Sequence, residues 1–253
     1  MRTEWQIADR SIEGQRRPRR QRAHPSRGVT DYSSAMLITR RIRLVAAGAA
    51  ITVSIACHGA ARTESVPQAA EHALSGLARQ HIIILPTYAA RVAPDLDWAT
   101  AMGRPSDVQR VLDADIMAAF EERGLKATWI FPPQLEQSYK RNASYAADPY
   151  TLAEEPLRSP MLAADARLPE PLASQIRTMV ALHDDVRLVL APVELRLERA
   201  GPTAGRGVLR LVLLDARASN VRWIGQVAGD SAGTFGPAIT ASLAARLANV
   251  VAP

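Results

Sequence analysis

A single cysteine, Cys57, is all that 253 residues contain, so no disulfide closes within the chain, and the cysteine and histidine pairings that hold structural zinc are missing. Lysine is nearly as scarce, with two against twenty-nine arginines, a bias that reads as the composition of the gene more than a use of guanidinium chemistry. Gly201-Pro202-Thr203-Ala204-Gly205 has no Lys-Ser or Lys-Thr after it, which excludes a phosphate-binding loop of the common type. Residues 232–253 contain no Asp, Glu or His. The working part of the chain also lacks excess charge. Residues 1–57 carry eleven Arg against four acids, a balance of +7, whereas residues 58–253 carry eighteen Arg and two Lys against twenty-one acids, a balance of −1. The sequence pI of about 10.1 therefore belongs to the leader. A nucleic-acid surface needs its basic patch on the folded part, so no nucleic-acid partner is expected.

What is present begins with Met36 to Cys57. Arg40, Arg41 and Arg43 form a basic head, Leu44 to Ala56 is an uncharged run of small and branched residues, and Ser54-Ile55-Ala56 places a small residue directly before Cys57. A positive region, an apolar region and a small residue at the cut describe a secretory signal peptide, here residues 36–56. Because the cut falls before a cysteine, the segment resembles the signal of bacterial lipoproteins. Ser54 stands where those signals usually carry Leu. The resemblance implies that Cys57 is lipidated as the new N-terminus. His58 in place of Asp implies the outer membrane over the inner, on the periplasmic side. Residues 1–35, with Arg16-Arg17-Pro18-Arg19-Arg20-Gln21-Arg22, are expected to be a disordered basic extension or a stretch ahead of the true start at Met36. A rival topology stays open: Leu44 to Ala61 has no formal charge and would serve as a short membrane anchor with residues 1–43 cytoplasmic.

Residues 57–79 are small and polar, as a tether would be, and residues 80–253 are expected to form one α/β domain. His81 to Pro86 is a continuous β-branched run that suits a strand buried on both faces. After a loop to Arg104, Ser106 and Gln109 have capping-box spacing, and Val108, Val111, Leu112, Ile116, Met117 and Phe120 recur on one helical face up to Gly124. Leu125 to Phe131 reads as a second strand parallel to the first. Pro132 to Arg141 reads as a helix, residues 142–171 as an irregular segment, and Leu172 to Leu182 as another helix. Three strands follow as an antiparallel meander, from Val186 on, over Val208 to Ala218 and over Val221 to Ala228, before a helix from Pro237 to Val251. The fold class is thus α/β with an α+β tendency: a mixed sheet of about five strands, the first pair parallel and the last three antiparallel, packed by three to four helices.

Leu211-Val212-Leu213-Leu214-Asp215-Ala216-Arg217 followed by Val221-Arg222-Trp223-Ile224-Gly225 and an Ala/Leu helix gives this order a family character. Over about residues 80–250 it resembles the α/β domain of bacterial envelope proteins: the curli-secretion lipoproteins, the lipoprotein activators of penicillin-binding proteins, and the N-terminal domain of the Tol-system propeller protein. The resemblance implies a non-enzymatic accessory protein of an envelope assembly, with an envelope or membrane protein as partner and a membrane reached through lipid on Cys57. It implies no cofactor. Nothing in the chain resembles the transmembrane hairpins of the curli channel, so pore formation is not implied.

Gly229-Asp230-Ser231-Ala232-Gly233 matches the Gly-x-Ser-x-Gly nucleophile elbow between a strand and a helix. That fold needs its acid and histidine after the serine, and none follows; a hydrolase using Ser231 would have to recruit His81 or His183 from earlier in the chain. His183-Asp184-Asp185 offers ligand types for a metal but equally ends a helix at the surface. Asp113, Asp115, Glu121 and Glu122 read as a solvated helix face, and Trp223 as core. The expected working surface is instead residues 139–171, where Tyr139, Tyr145 and Tyr150 fall close together among prolines. Aromatic side chains are enriched where proteins dock. The alternative is that these tyrosines pin the segment to its own domain.

Overall fold

The computed structural model describes residues 74–253; the signal peptide, Cys57 and the basic extension lie outside the described residues. Strand β1 (Ile82–Ile84) is buried throughout and lies at the centre of three parallel neighbours, with β3 (Trp129–Ile130) on one side and β4 (Leu188–Arg199) on the other. β4 then pairs antiparallel with β5 (Gly205–Asp215), and β5 with β6 (Asn220–Ala232), giving the order β3-β1-β4-β5-β6. The parallel first pair and the antiparallel meander agree with the sequence. One strand was not foreseen. β2 (Ala90–Val92) runs parallel to β4 further along the same edge, Ala90 facing Leu195, so a segment read as loop supplies a sixth strand.

Helix α1 (Ala99–Met102) is one turn long, and α2 (Pro105–Glu122) starts at its proline. The expected Ser106 and Gln109 capping box does not form: Pro105 occupies the first turn, where a missing N–H costs nothing, and Gln109 donates its side-chain N–H to the Tyr88 carbonyl at 2.7 Å. Gly124, at φ 72°, ends this region in the left-handed conformation and leads to a 3-10 turn at Leu125–Ala127, which leaves only two residues of the expected second strand in the sheet. Helices α3 (Pro132–Arg141), α4 (Leu172–Ala181) and α5 (Pro237–Val251) match their sequence readings closely.

Alternation along the strands divides the core in two. Ile82, Ile84, Leu209, Leu211 and Leu213 face α2 and α5, while Ile83, Val189, Ala191, Val212 and Leu214 face α3 and α4. Phe120, Trp129 and Phe131 interlock beside α2, with ring centroids of Phe120 and Trp129 4.8 Å apart. The Asp215-Ala216-Arg217 motif is a turn device. Asp215 Oδ1 accepts the backbone N–H of Arg217 at 3.1 Å and of Ala218 at 3.0 Å, and its other oxygen meets Arg187 at 2.7 Å. No helix among the described residues is long and apolar enough to cross a membrane.

Candidate functional site

Residues 142–171 fold as an ordered layer over the α3–α4 side of the sheet. Leu152, Leu157 and Leu168 are buried in that core, the Ala153 N–H donates to Gln175 Oε1 at 3.0 Å, and the Asp165 N–H donates to the Val221 carbonyl at 2.7 Å. The three tyrosines are placed differently. Tyr139 is half-buried against a pocket of about 10 Å³ that Met179 and His183 also line, room for at most a water. Tyr150 is half-buried, with the Arg110 guanidinium 4.4 Å from its ring centroid. Tyr145 is 62% exposed, its hydroxyl donating to Asn142 Oδ1 at 2.7 Å. Met161 in the same layer is 87% exposed. Both stand on a rigid support and face solvent.

The layer and α2 each bury an acid that sequence reasoning missed, Glu154 and Asp113. Asp113, read as part of a solvated face, is buried at 6% exposure, whereas Val111, read as core, is 46% exposed. The buried stripe of α2 is Val108, Leu112, Asp113, Ile116 and Phe120, rotated from the face that apolar residues alone suggest. The signal was available in Asp113, Ile116 and Phe120, which share one helical stripe at spacings of three and four. Asp113 Oδ1 accepts the Thr87 backbone N–H at 2.8 Å and its hydroxyl at 2.7 Å, just past the carboxyl end of β1. Burial raises its pKa to about 6 against the opposing effect of those bonds. Glu154 is 1% exposed, and burial, reinforced by the charge of Asp113, lifts its carboxyl well above the ordinary range. Asp113 Oδ2 and Glu154 Oε2 have no hydrogen-bond partner among the described residues.

In open parallel sheets the carboxyl end of a strand flanked by two parallel neighbours is where ligands bind. Here that position holds the Thr87 and Asp113 bonds and the buried Glu154. The larger cleft, about 310 Å³ between α1, α2 and the start of α5, is lined by Met102, Val108, Val111, Phe235 and Pro237 and reaches neither carboxylate. Acid–base chemistry needs a substrate within hydrogen-bond reach of the acid, and neither cleft provides it.

The serine motif is overturned as an elbow. β6 continues through Ala232, and Ser231 pairs with Arg206 just past an irregularity in the β5–β6 ladder, so Gly229 to Ala232 is strand and not a strand-to-helix turn. Gly229 is required there by close approach: a Cβ would lie 2.6 Å from Ser242 Oγ and 3.0 Å from Leu243 on α5. Arg206 in turn faces Glu198 near the end of β4, while His183 precedes the start of that strand and His81 precedes β1, paired with the same start. Ten residues of strand, about 30 Å, separate Ser231 from both histidines. His183-Asp184-Asp185 forms the turn after α4, with Asp184 and Asp185 at φ 55° and 52°. Among the described residues no group of three or more His, Cys, Asp or Glu is placed to hold a metal. Trp223 is half-buried on the α2–α5 side, its ring over Gly225.

No family model matches this chain, and no curated protein matches it. Solved structures to which it is similar include the C-terminal domain of LpoB from Salmonella enterica, at 12% identity and a TM-score of 0.31 over 62% of this chain and 93% of that one. LpoB of E. coli is similar at 12% identity and a TM-score of 0.31, over 90% of this chain and 97% of that one. A PelC dodecamer from Paraburkholderia phytofirmans gives 10% identity and a TM-score of 0.30, over 69% and 90%. At these TM-scores the likeness is one of loose outline.

Proposed function

We propose that the protein is an exported, lipid-anchored, non-enzymatic binding component of an envelope assembly, and that it meets its partner through residues 139–171. The observation that carries the reading is the exposure of Tyr145 and Met161 on a segment that is pinned to the sheet and adds no strand to it. A large apolar side chain held in water by a rigid support gains area on docking without an ordering cost. Tyr139 and Tyr150 act in the supporting role, the first against α4 and the second beneath Arg110. The anchor is the lipid on Cys57, which holds the domain on the periplasmic side of the outer membrane, with the partner a protein of the envelope.

The test is to replace Tyr145 and Met161 with Ser, and to compare crosslinked partners and melting temperature with those of the unaltered protein in its own cells. Both side chains are exposed, so the melting temperature is expected to stay within a degree or two while the crosslinked partner is lost. A lowered melting temperature with the partner retained would place the two residues in stability and not in binding.

A further inference from the structure

We infer that the open end of the sheet carrying Arg196 and Arg210 is a docking site for an acidic segment of a partner protein, to whose carboxylates these two guanidiniums donate. The inference rests on the binding reading above and gives the partner a chemistry.

The geometry begins with an irregularity in β4. Pro192 pairs with Leu211 and Glu194 with Arg210, so Val193 is an extra residue, and the side chains after it change sides. Val193 faces α3 and α4, as do Val189 and Ala191, whereas Leu195 and Leu197 point to α2 and α5. Glu194, Arg196 and Glu198 therefore share the α3–α4 face with Arg206 and Arg210 of β5 and Gln226 of β6. On β2, Arg91 lies directly opposite Arg196. Helices α3 and α4 cover the other end of this face, and here Arg196, Glu198, Arg206, Arg210 and Gln226 are half-exposed.

The ion pairs on this face leave two guanidiniums over. Arg91 and Arg158 both take Glu194, at 3.2 and 2.8 Å; Arg158 also takes Glu155 at 2.8 Å, and Arg206 takes Glu198 at 2.8 Å. Five arginines stand against three glutamates, an excess of +2 on a chain whose residues 58–253 sum to −1. Arg196 donates to Gln226 Oε1 at 3.1 Å, and Arg210 donates to the carbonyl oxygens of Ser159 at 2.8 Å and Arg158 at 3.4 Å. Among the described residues neither has a carboxylate at ion-pair distance, and the buried Nε of each has no hydrogen-bond partner there. Burial lowers the pKa of Arg210, Glu194 partly restores it, and the neighbouring Arg196 lowers it further. Two like charges held together at a partly dry site favour an incoming anion, and the guanidinium fork suits a carboxylate in two-point contact. Phosphate would satisfy the same fork. A peptide fits better because Arg210 is bound to the Ser159 carbonyl, two residues from exposed Met161, so the cationic site adjoins an apolar one.

The test uses the full chain, isotopically labelled, with the peptide Glu-Glu-Leu-Glu-Glu-Leu as probe. The arginines of residues 1–57 also attract this peptide, so the reading is taken at the side-chain N–H signals of Arg196 and Arg210. Saturable shifts of both, together with the Met161 methyl, are expected. Arg196→Gln with Arg210→Gln should weaken that site's affinity by about tenfold or more, whereas Arg206→Gln should leave it unchanged. The double variant removes two like charges and should melt no lower than the parent. Unmoved arginine signals, equal affinity in the double variant, or equal shifts with inorganic phosphate would each overturn the inference, as would shifts that track self-association in sedimentation. If the envelope crosslink is lost with the Tyr145 and Met161 variants but kept in the double arginine variant, this inference fails while the binding reading stands.

Discussion

Asp113 carries the sharpest consequence at the scale of one residue. Its folded pKa of about 6 lies above the ordinary carboxyl value. The folded state thus holds the proton more tightly, and the stabilisation is complete below about pH 4 and lost as pH rises through about 6. Two units correspond to about 2–3 kcal/mol, with Glu154 acting in the same direction. Asp113→Asn keeps the oxygen that accepts from Thr87 and removes the charge. Chemical denaturation should find it about 1–3 kcal/mol more stable than the parent at pH 7 and nearly equal at pH 4. A less stable variant at pH 7 would contradict the burial argument. Asp215 is the opposite case. Burial alone would raise its pKa, but Arg187 and the backbone N–H groups of Ala218 and Arg217 outweigh that effect and lower it, so its stabilisation is present at neutral pH and lost on acidification. Asp215→Ala leaves two turn N–H groups without their acceptor and takes the partner from the exposed Arg187 guanidinium, and should cost about 1–3 kcal/mol at pH 7, read by the same denaturation series.

At the scale of elements, legibility follows length and periodicity. α3, α4 and α5 were readable because a proline or a helical stripe marks each. β2 was not, since Ala90-Arg91-Val92 has too few residues to show alternation, and it joins the sheet only because β4 extends past β1. The second strand is shorter than its apolar run suggests because the αL turn at Gly124 and the 3-10 turn consume most of it. The serine motif is ambiguous because a five-residue pattern does not distinguish a turn from the end of a strand in which one glycine, Gly229, is close-packed against a helix. Tyr139, Tyr145 and Tyr150 were found as a group, but which of them faces water depends on how residues 142–171 fold back, which no local pattern encodes. The arginine face was hidden by the extra residue at Val193. β1 offers a direct check on the packing: Ile83 is fully buried at its centre, facing α4, and Ile83→Ala should cost about 2–5 kcal/mol through lost burial and a cavity, measured as a shift in denaturant midpoint.

For the whole molecule, the two cores place the proposed binding surface on one side of the sheet. Tyr145, Met161 and the arginine face all lie on the side of α3 and α4, while α2 and α5 pack against the opposite side. One acyl chain holds a protein only marginally, and stable anchoring takes more than one. The most direct measurement of the central claim is the intact mass of the protein purified from the membrane fraction of its own cells, with crosslinked material identified alongside. The account predicts a chain beginning at Cys57, carrying the added mass of several acyl groups, and crosslinked to an envelope protein through residues 139–171. A chain beginning at Met1 without lipid, recovered free of any envelope protein, would contradict it.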